Sequence, residues 1–192
     1  MNMMTKQTLL RPAERQDADS LAWFINAAGH GMPLEYWTEL AAPGQDPWEI
    51  GRQRMAVNSG DNSWRNWTIA ERNGAAAGGL CTYQIPSDME RPGDDVPLRF
   101  RPLAALEYLA RGTWHVHVLA TSLRHRRAGV GTRLLAHAAR QAAGRPQSIL
   151  VDSGNAPACA LYKTVGFIEA ARRPIVDRDG KLLTGDWLLL MR

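Results

Sequence analysis

His115-Val116-His117-Val118-Leu119-Ala120-Thr121-Ser122-Leu123-Arg124-His125-Arg126-Arg127-Ala128-Gly129-Val130-Gly131-Thr132-Arg133-Leu134-Leu135 reads as an apolar strand, a basic glycine-containing turn and an amphipathic helix. At the turn, Arg126-x-x-Gly129-x-Gly131 brings guanidinium groups and backbone N–H donors to one place. Side chains larger than hydrogen at Gly129 and Gly131 would restrict the backbone and hold an anion at a distance. The helix that follows adds its unpaired first N–H groups and the positive end of its dipole. Such an arrangement suits a pyrophosphate.

Working outward, Asn155-Ala156-Pro157-Ala158-Cys159-Ala160-Leu161-Tyr162-Lys163-Thr164-Val165-Gly166-Phe167 is a second signature. An Asn opens a helix, a Tyr lies near its end, and Gly-Phe starts a strand. In this order and spacing the two stretches resemble motifs A and B of the GNAT N-acyltransferase superfamily, most closely from Trp114 to Phe167. The resemblance implies an α/β (α+β) GNAT fold over one domain, residues 1–192. Its mixed, mostly antiparallel sheet is flanked by helices, with a splayed strand pair binding acyl-CoA. It also implies an acetyl-CoA-dependent N-acetyltransferase acting on a primary amine by direct attack. The alternative it leaves is a catalytically silent acyl-CoA-binding or regulatory module.

Acyl transfer from a thioester to an amine has three requirements. The amine must lose a proton before it has a lone pair to attack with, the oxyanion needs donors, and the departing thiolate benefits from an acid. By the resemblance, the main chain of Val118, Leu119 and Ala120 would hold the pantetheine and polarise the thioester. Arg124 and the turn Arg126, Arg127, Ala128, Gly129, Val130 and Gly131, continuing into Thr132, would take the pyrophosphate. Asn155 would contact the CoA arm; its plainer role is a helix cap. Tyr162 matches the tyrosine that points at the CoA sulfur, making it the general acid.

His115 and His117 are candidates for the base. Strand periodicity places them on one face, opposite Val116 and Val118. An imidazole near pKa 6.5 suits proton removal around neutrality. Their spacing from Arg126 resembles the paired His-x-His of the arylalkylamine branch of the family, with His115 placed first. The plainer reading is that both simply hydrogen-bond in the interior. Glu107 is a third candidate, since family members recruit a carboxylate from before this strand. His30, in a Gly-His-Gly loop, reads as an exposed histidine. Trp37, Trp48, Trp64, Trp67 and Tyr36 wall an acceptor pocket or, as tryptophans more often do, pack the core.

The rest of the chain fits this frame. Thr8–Pro12 reads as a strand, and Asp17 or Asp19 caps a helix ending at Ala28, broken by Gly29, Gly31 and Pro33. A helix follows Pro47. Asn73-Gly74 between two strand-like runs is a hairpin signal. Residues 85–102 read as a loop, 103–109 as a short helix or an irregular approach to the central strand. Strands at 148–151, from Phe167 and at 187–191 complete the order.

Composition sets outer bounds. Hydrophobic residues make up 45% and charged residues 22% of 192, ordinary for a globular protein. No apolar run approaches the ~20 residues that span a bilayer, and Met1–Arg11 lacks the apolar core of an export signal. The two cysteines, Cys81 and Cys159, give neither a disulfide framework nor metal-ligand spacing, so a cytoplasmic protein without a metal is expected. Net charge is +4, and only Lys6, Lys163 and Lys181 among 23 basic residues are lysine. Arginine suits phosphate, but no basic face interleaved with aromatics points to nucleic acid. A small-molecule or peptide amine is the expected partner, with a homodimer through edge strands also compatible.

Overall fold

The computed structural model describes residues 8–192; the first part of the segment read for an export signal, residues 1–7, lies outside them. Seven strands form one sheet in the order β1-β2-β3-β4-β5-β7-β6. They are β1 (Leu9–Pro12), β2 (Trp67–Arg72), β3 (Ala75–Gln84), β4 (Trp114–Thr121), β5 (Gln147–Asp152), β6 (Ile168–Val176) and β7 (Leu182–Met191). Among the described ladders, β1–β2, β2–β3, β5–β7 and β6–β7 are antiparallel, and β4–β5 is parallel. The helices are α1 (Ala18–Ala28), α2 (Met32–Leu40), α3 (Pro47–Met55), α4 (Arg101–Leu109), α5 (Val130–Ala142) and α6 (Ala156–Thr164). This is the mixed, mostly antiparallel α/β architecture expected.

The chain divides into two compact units. One comprises the described residues up to Thr82 with Val118–Ala138, the other Tyr83–His117 with Ala139–Arg192.

In the first unit the β2–β3 hairpin turns at Asn73 and Gly74, both at positive φ (53° and 75°). That pairing of left-handed residues matches the right-handed twist of the flanking strands. Leu21, Ala22 and Phe24 of α1 are buried, with Trp37 of α2, Met55 of α3 and Ile69 of β2. Trp37 enters a slot that only glycine leaves: a Cβ at Gly51 of α3 would lie 2.5 Å from the indole. Truncating a buried aromatic of this kind costs about 3–5 kcal/mol.

Two local expectations change here. Asp17 does occupy the position before α1, but its carboxylate does not cap the helix. It accepts from the Arg11 guanidinium at 2.8 and 2.9 Å and from the Glu14 N–H at 2.7 Å. The Gly29–Pro33 stretch also begins a helix as well as ending one. Pro33 falls in the first turn of α2, where its missing N–H would have had no helical partner anyway.

In the second unit, residues 103–109 are helical, and the helix begins two residues earlier at Arg101. Leu106 of α4, Val116 of β4, Ile149 of β5 and Leu189 of β7 are each at most 2% exposed. The β4–β5 ladder covers Trp114–Val116 against Gln147–Ile149 and sets His115 beside Ser148. The closing strand carries Trp187 to Leu190, four successive buried residues.

Candidate active site

The second unit gathers Glu107 from α4, His115 and His117 from β4, Tyr83 from the end of β3 and Ser148 from β5. As the two-residue strand period requires, the imidazoles share a face, with ring centroids 6.1 Å apart. Glu107 faces both: its Oε1 lies 3.9 Å from His115 Nε2 and 3.8 Å from His117 Nδ1. The Tyr83 hydroxyl is 3.2 Å from His117 Nδ1, and the Tyr83 ring lies 5.5 and 5.4 Å from the two imidazoles. The Glu107 and His117 side chains are 23% and 25% exposed, whereas that of His115 is 1% exposed.

A buried hydroxyl chain assigns the His115 tautomer. The Thr113 hydroxyl donates to the Ala110 carbonyl at 2.7 Å. Its single proton is thereby committed, so the 2.6 Å contact with Ser148 Oγ has the serine as donor. Ser148 Oγ then accepts from His115 Nδ1–H at 2.8 Å. Nε2 is left with a bare lone pair, buried and without a hydrogen-bond partner, aimed at Glu107. Burial, with a smaller contribution from neighbouring His117, lowers the His115 pKa to about 3. His115 is therefore neutral at physiological pH.

Two further predicted residues belong to α6, Asn155 as its N-cap and Tyr162 in its last turn. Asn155 Oδ1 accepts from the Ala158 N–H at 3.2 Å, so the capping role is realised. Tyr162 is buried, its ring edge-on to Phe167 at 6.1 Å. Burial pushes its phenol upward, with Cys159 adding to the shift, so the hydroxyl holds its proton. Burial also raises the Cys159 thiol, which suits an inert cysteine.

The basic turn belongs to the first unit. A single 3₁₀ turn, Leu123–His125, follows β4 and is closed by a 2.7 Å contact between Ser122 Oγ and His125 Nδ1. Arg127 and Gly129 adopt positive φ (62° and 76°) before α5 begins at Val130. Arg124, Arg126 and Arg127 are exposed. Nothing lies within 4 Å of a Cβ placed on Gly129, so glycine is needed there for its backbone angle and not for space within the chain. Gly131 lies in the first turn of α5, where the leading N–H groups have no helical acceptor. Val118, Leu119 and Ala120 occupy the second half of β4.

Among the aromatic residues of the first third, Trp37 and Trp48 pack on each other. Trp37 and Trp67 are each 2% exposed, and Trp48 meets Trp37 edge-on at 5.7 Å. Trp64 Nε1 donates to Asn58 at 3.2 Å, and Arg54 lies over Tyr36. The core role accounts for Trp37 and Trp67. His30 is exposed in its loop, as expected. Tyr83, Ser148 and Thr113 were not foreseen, because each joins the cluster through tertiary pairing.

A family model of the acetyltransferase (GNAT) family matches residues 33–167. The chain belongs to the GNAT acetyltransferase family. No curated protein matches it. Among solved structures, Drosophila melanogaster polyamine N-acetyltransferase, which catalyses formation of N-acetylagmatine, superposes with a TM-score of 0.66 at 14% identity. That match covers 97% of this chain and 99% of that one. An agmatine N-acetyltransferase gives 0.65 at 15% identity over 96% and 98% of the two chains. An N-acetyltransferase from Staphylococcus aureus gives 0.63 at 15% identity over 96% and 100%. At these identities the likeness concerns the fold. The protein is thus a GNAT-fold acetyltransferase, and acetyl-CoA is the cosubstrate typical of its family. No helix among the described residues is long and apolar enough to cross a membrane.

Proposed function

We propose that this acetyltransferase moves an acetyl group from acetyl-CoA to a primary amine by direct attack, with Glu107, His115 and His117 as its proton-accepting centre. The convergence of these three side chains on one another carries the reading. An alkylammonium must give up a proton before it attacks, and a His–carboxylate pair at partial exposure is suited to receive it. His117 is the acceptor. It remains in reach of solvent, and Glu107 at 3.8 Å stabilises the imidazolium that forms. Because His115 is buried, we place His117 ahead of it, although the sequence reading places His115 first. Its neutral Nε2 lone pair instead helps position a bridging proton or water.

Tyr162 supplies the proton for the departing CoA thiolate, and its raised pKa keeps it a donor at neutral pH. The exposed arginines and first N–H groups of α5 bind the pyrophosphate, the main chain of Val118–Ala120 binds the pantetheine, and Asn155 meets the CoA arm. The absence of a membrane-length helix is compatible with a cytoplasmic enzyme. Because two structural neighbours act on agmatine or polyamines, alkylamines of that chemistry are the acceptors to test first.

Free CoA release from acetyl-CoA, followed with a thiol reagent across a panel of primary amines, tests the proposal. Amine-dependent release with a matching mass gain of one acetyl group on the amine is expected. Acetyl-CoA binding without release for any amine would favour the silent module.

A further inference from the structure

The cluster offers more than a proton acceptor. One nitrogen of each of His115 and His117 and a Glu107 oxygen all lie within 4.8 Å of one another, and His115 Nε2 is 3.9 Å from Glu107 Oε1. Two imidazoles and one carboxylate are the donor set of three-ligand zinc centres whose fourth position is left to water. Magnesium and calcium call for oxygen ligands, so two imidazoles select against them.

We propose that Glu107, His115 and His117 form a binding site for Zn²⁺ whose occupation blocks the proton acceptor and switches the enzyme off. Three observations support the site. His115 Nε2 is buried, has no hydrogen-bond partner and points into the cluster. Its other nitrogen is tied to Ser148, and Ser148 to Thr113. Such an outer hydrogen bond orients a metal-binding imidazole and fixes its tautomer. Partial exposure of Glu107 and His117 provides an entry path. A tetrahedral zinc with bonds of about 2.0–2.1 Å places neighbouring donors roughly 3.3 Å apart. The carboxylate–imidazole separations are 3.8 and 3.9 Å and all three donors lie within 4.8 Å, so zinc requires them to draw together by at most about 1.5 Å. Zinc bound through His117 Nδ1 displaces the contact that this nitrogen makes with the Tyr83 hydroxyl at 3.2 Å.

The inhibitory consequence rests on the base assignment above; the binding does not. Zn²⁺ is titrated by calorimetry into chelator-stripped full-length protein, and Co²⁺ is added separately to read its visible absorption. One-to-one binding is expected, with a visible band of low-coordinate cobalt. Glu107→Gln and His117→Gln should each weaken Zn²⁺ at least tenfold, checked by circular dichroism for retained fold. Cys159→Ser should leave the affinity unchanged, ruling out a thiol site. No one-to-one binding at micromolar Zn²⁺, or equal affinity in both cluster variants, would overturn the site. In turnover assays, stoichiometric Zn²⁺ should abolish CoA release and EDTA should restore it. Tight binding with undiminished turnover would leave the metal site standing and overturn the base assignment.

Discussion

Replacing Ser148 by alanine probes the hydroxyl chain that sets the His115 tautomer. Ser148 is fully buried and accepts from His115 Nδ1–H at 2.8 Å while donating to Thr113 at 2.6 Å. The change leaves the buried Nδ1–H without its acceptor. An orphaned buried donor costs about 1–3 kcal/mol. For a chain of this size each kcal/mol moves Tm by about 2–4 °C, giving a loss of about 2–12 °C. Thr113→Val should destabilise by a comparable amount, because it strands the Ser148 proton. The two changes should be less than additive, since Thr113→Val has no serine proton left to strand; coupling of about 0.5–3 kcal/mol is expected for such neighbours. Calorimetry gives the Tm values, and ¹⁵N NMR of the imidazoles reads the tautomer directly. A wild-type spectrum with the proton on Nε2, or a Tm unmoved by Ser148→Ala, would refute the chain.

Other consequences are separately checkable. Tyr162→Phe should lower kcat by about 10²–10⁴, the span for a general acid, with little change in the calorimetric Kd for acetyl-CoA; an unchanged kcat removes the role. Gly129→Val should cost about 1–2 kcal/mol in urea unfolding, because a β-branched residue resists φ of 76°, and should weaken acetyl-CoA binding; full affinity would detach the turn from the pyrophosphate. The hydrogen bonds of Arg11 hold the Asp17 carboxyl below its ordinary 3.8. Its folded-state pKa is depressed, so its contribution is complete above about pH 4 and is lost as pH falls through the lower folded value. Asp17→Asn should therefore flatten acid unfolding below pH 4; a profile identical to wild type would contradict the pairing.

Much of the frame is readable because local chemistry and tertiary need agree. The hairpin follows from Asn73-Gly74, whose backbone angles admit few other residues. The β4–turn–α5 passage follows from an apolar run, a glycine at positive φ and a helical stripe. The shared face of His115 and His117 is strand periodicity alone. Elsewhere local cues mislead. Gly-His-Gly followed by Pro33 looks like an interruption, yet proline in a first helical turn costs nothing, so α2 escapes notice. Asp17 has the chemistry of a cap, but Arg11 competes for its carboxylate. The His115 tautomer depends on the parallel ladder that brings Ser148 alongside, and no local pattern reports that register. The expectation of a metal-free protein considered only the cysteines, whereas the proposed zinc donors come from a single strand and a helix.

The most direct test of the proton-accepting centre is kcat/KM of His117→Gln against wild type. It is measured in EDTA with one primary amine that the wild-type enzyme acetylates, alongside the acetyl-CoA Kd of both proteins. The account predicts that kcat/KM falls by about 10²–10⁴ while acetyl-CoA affinity is retained. An unchanged kcat/KM would contradict it and place the base outside this cluster.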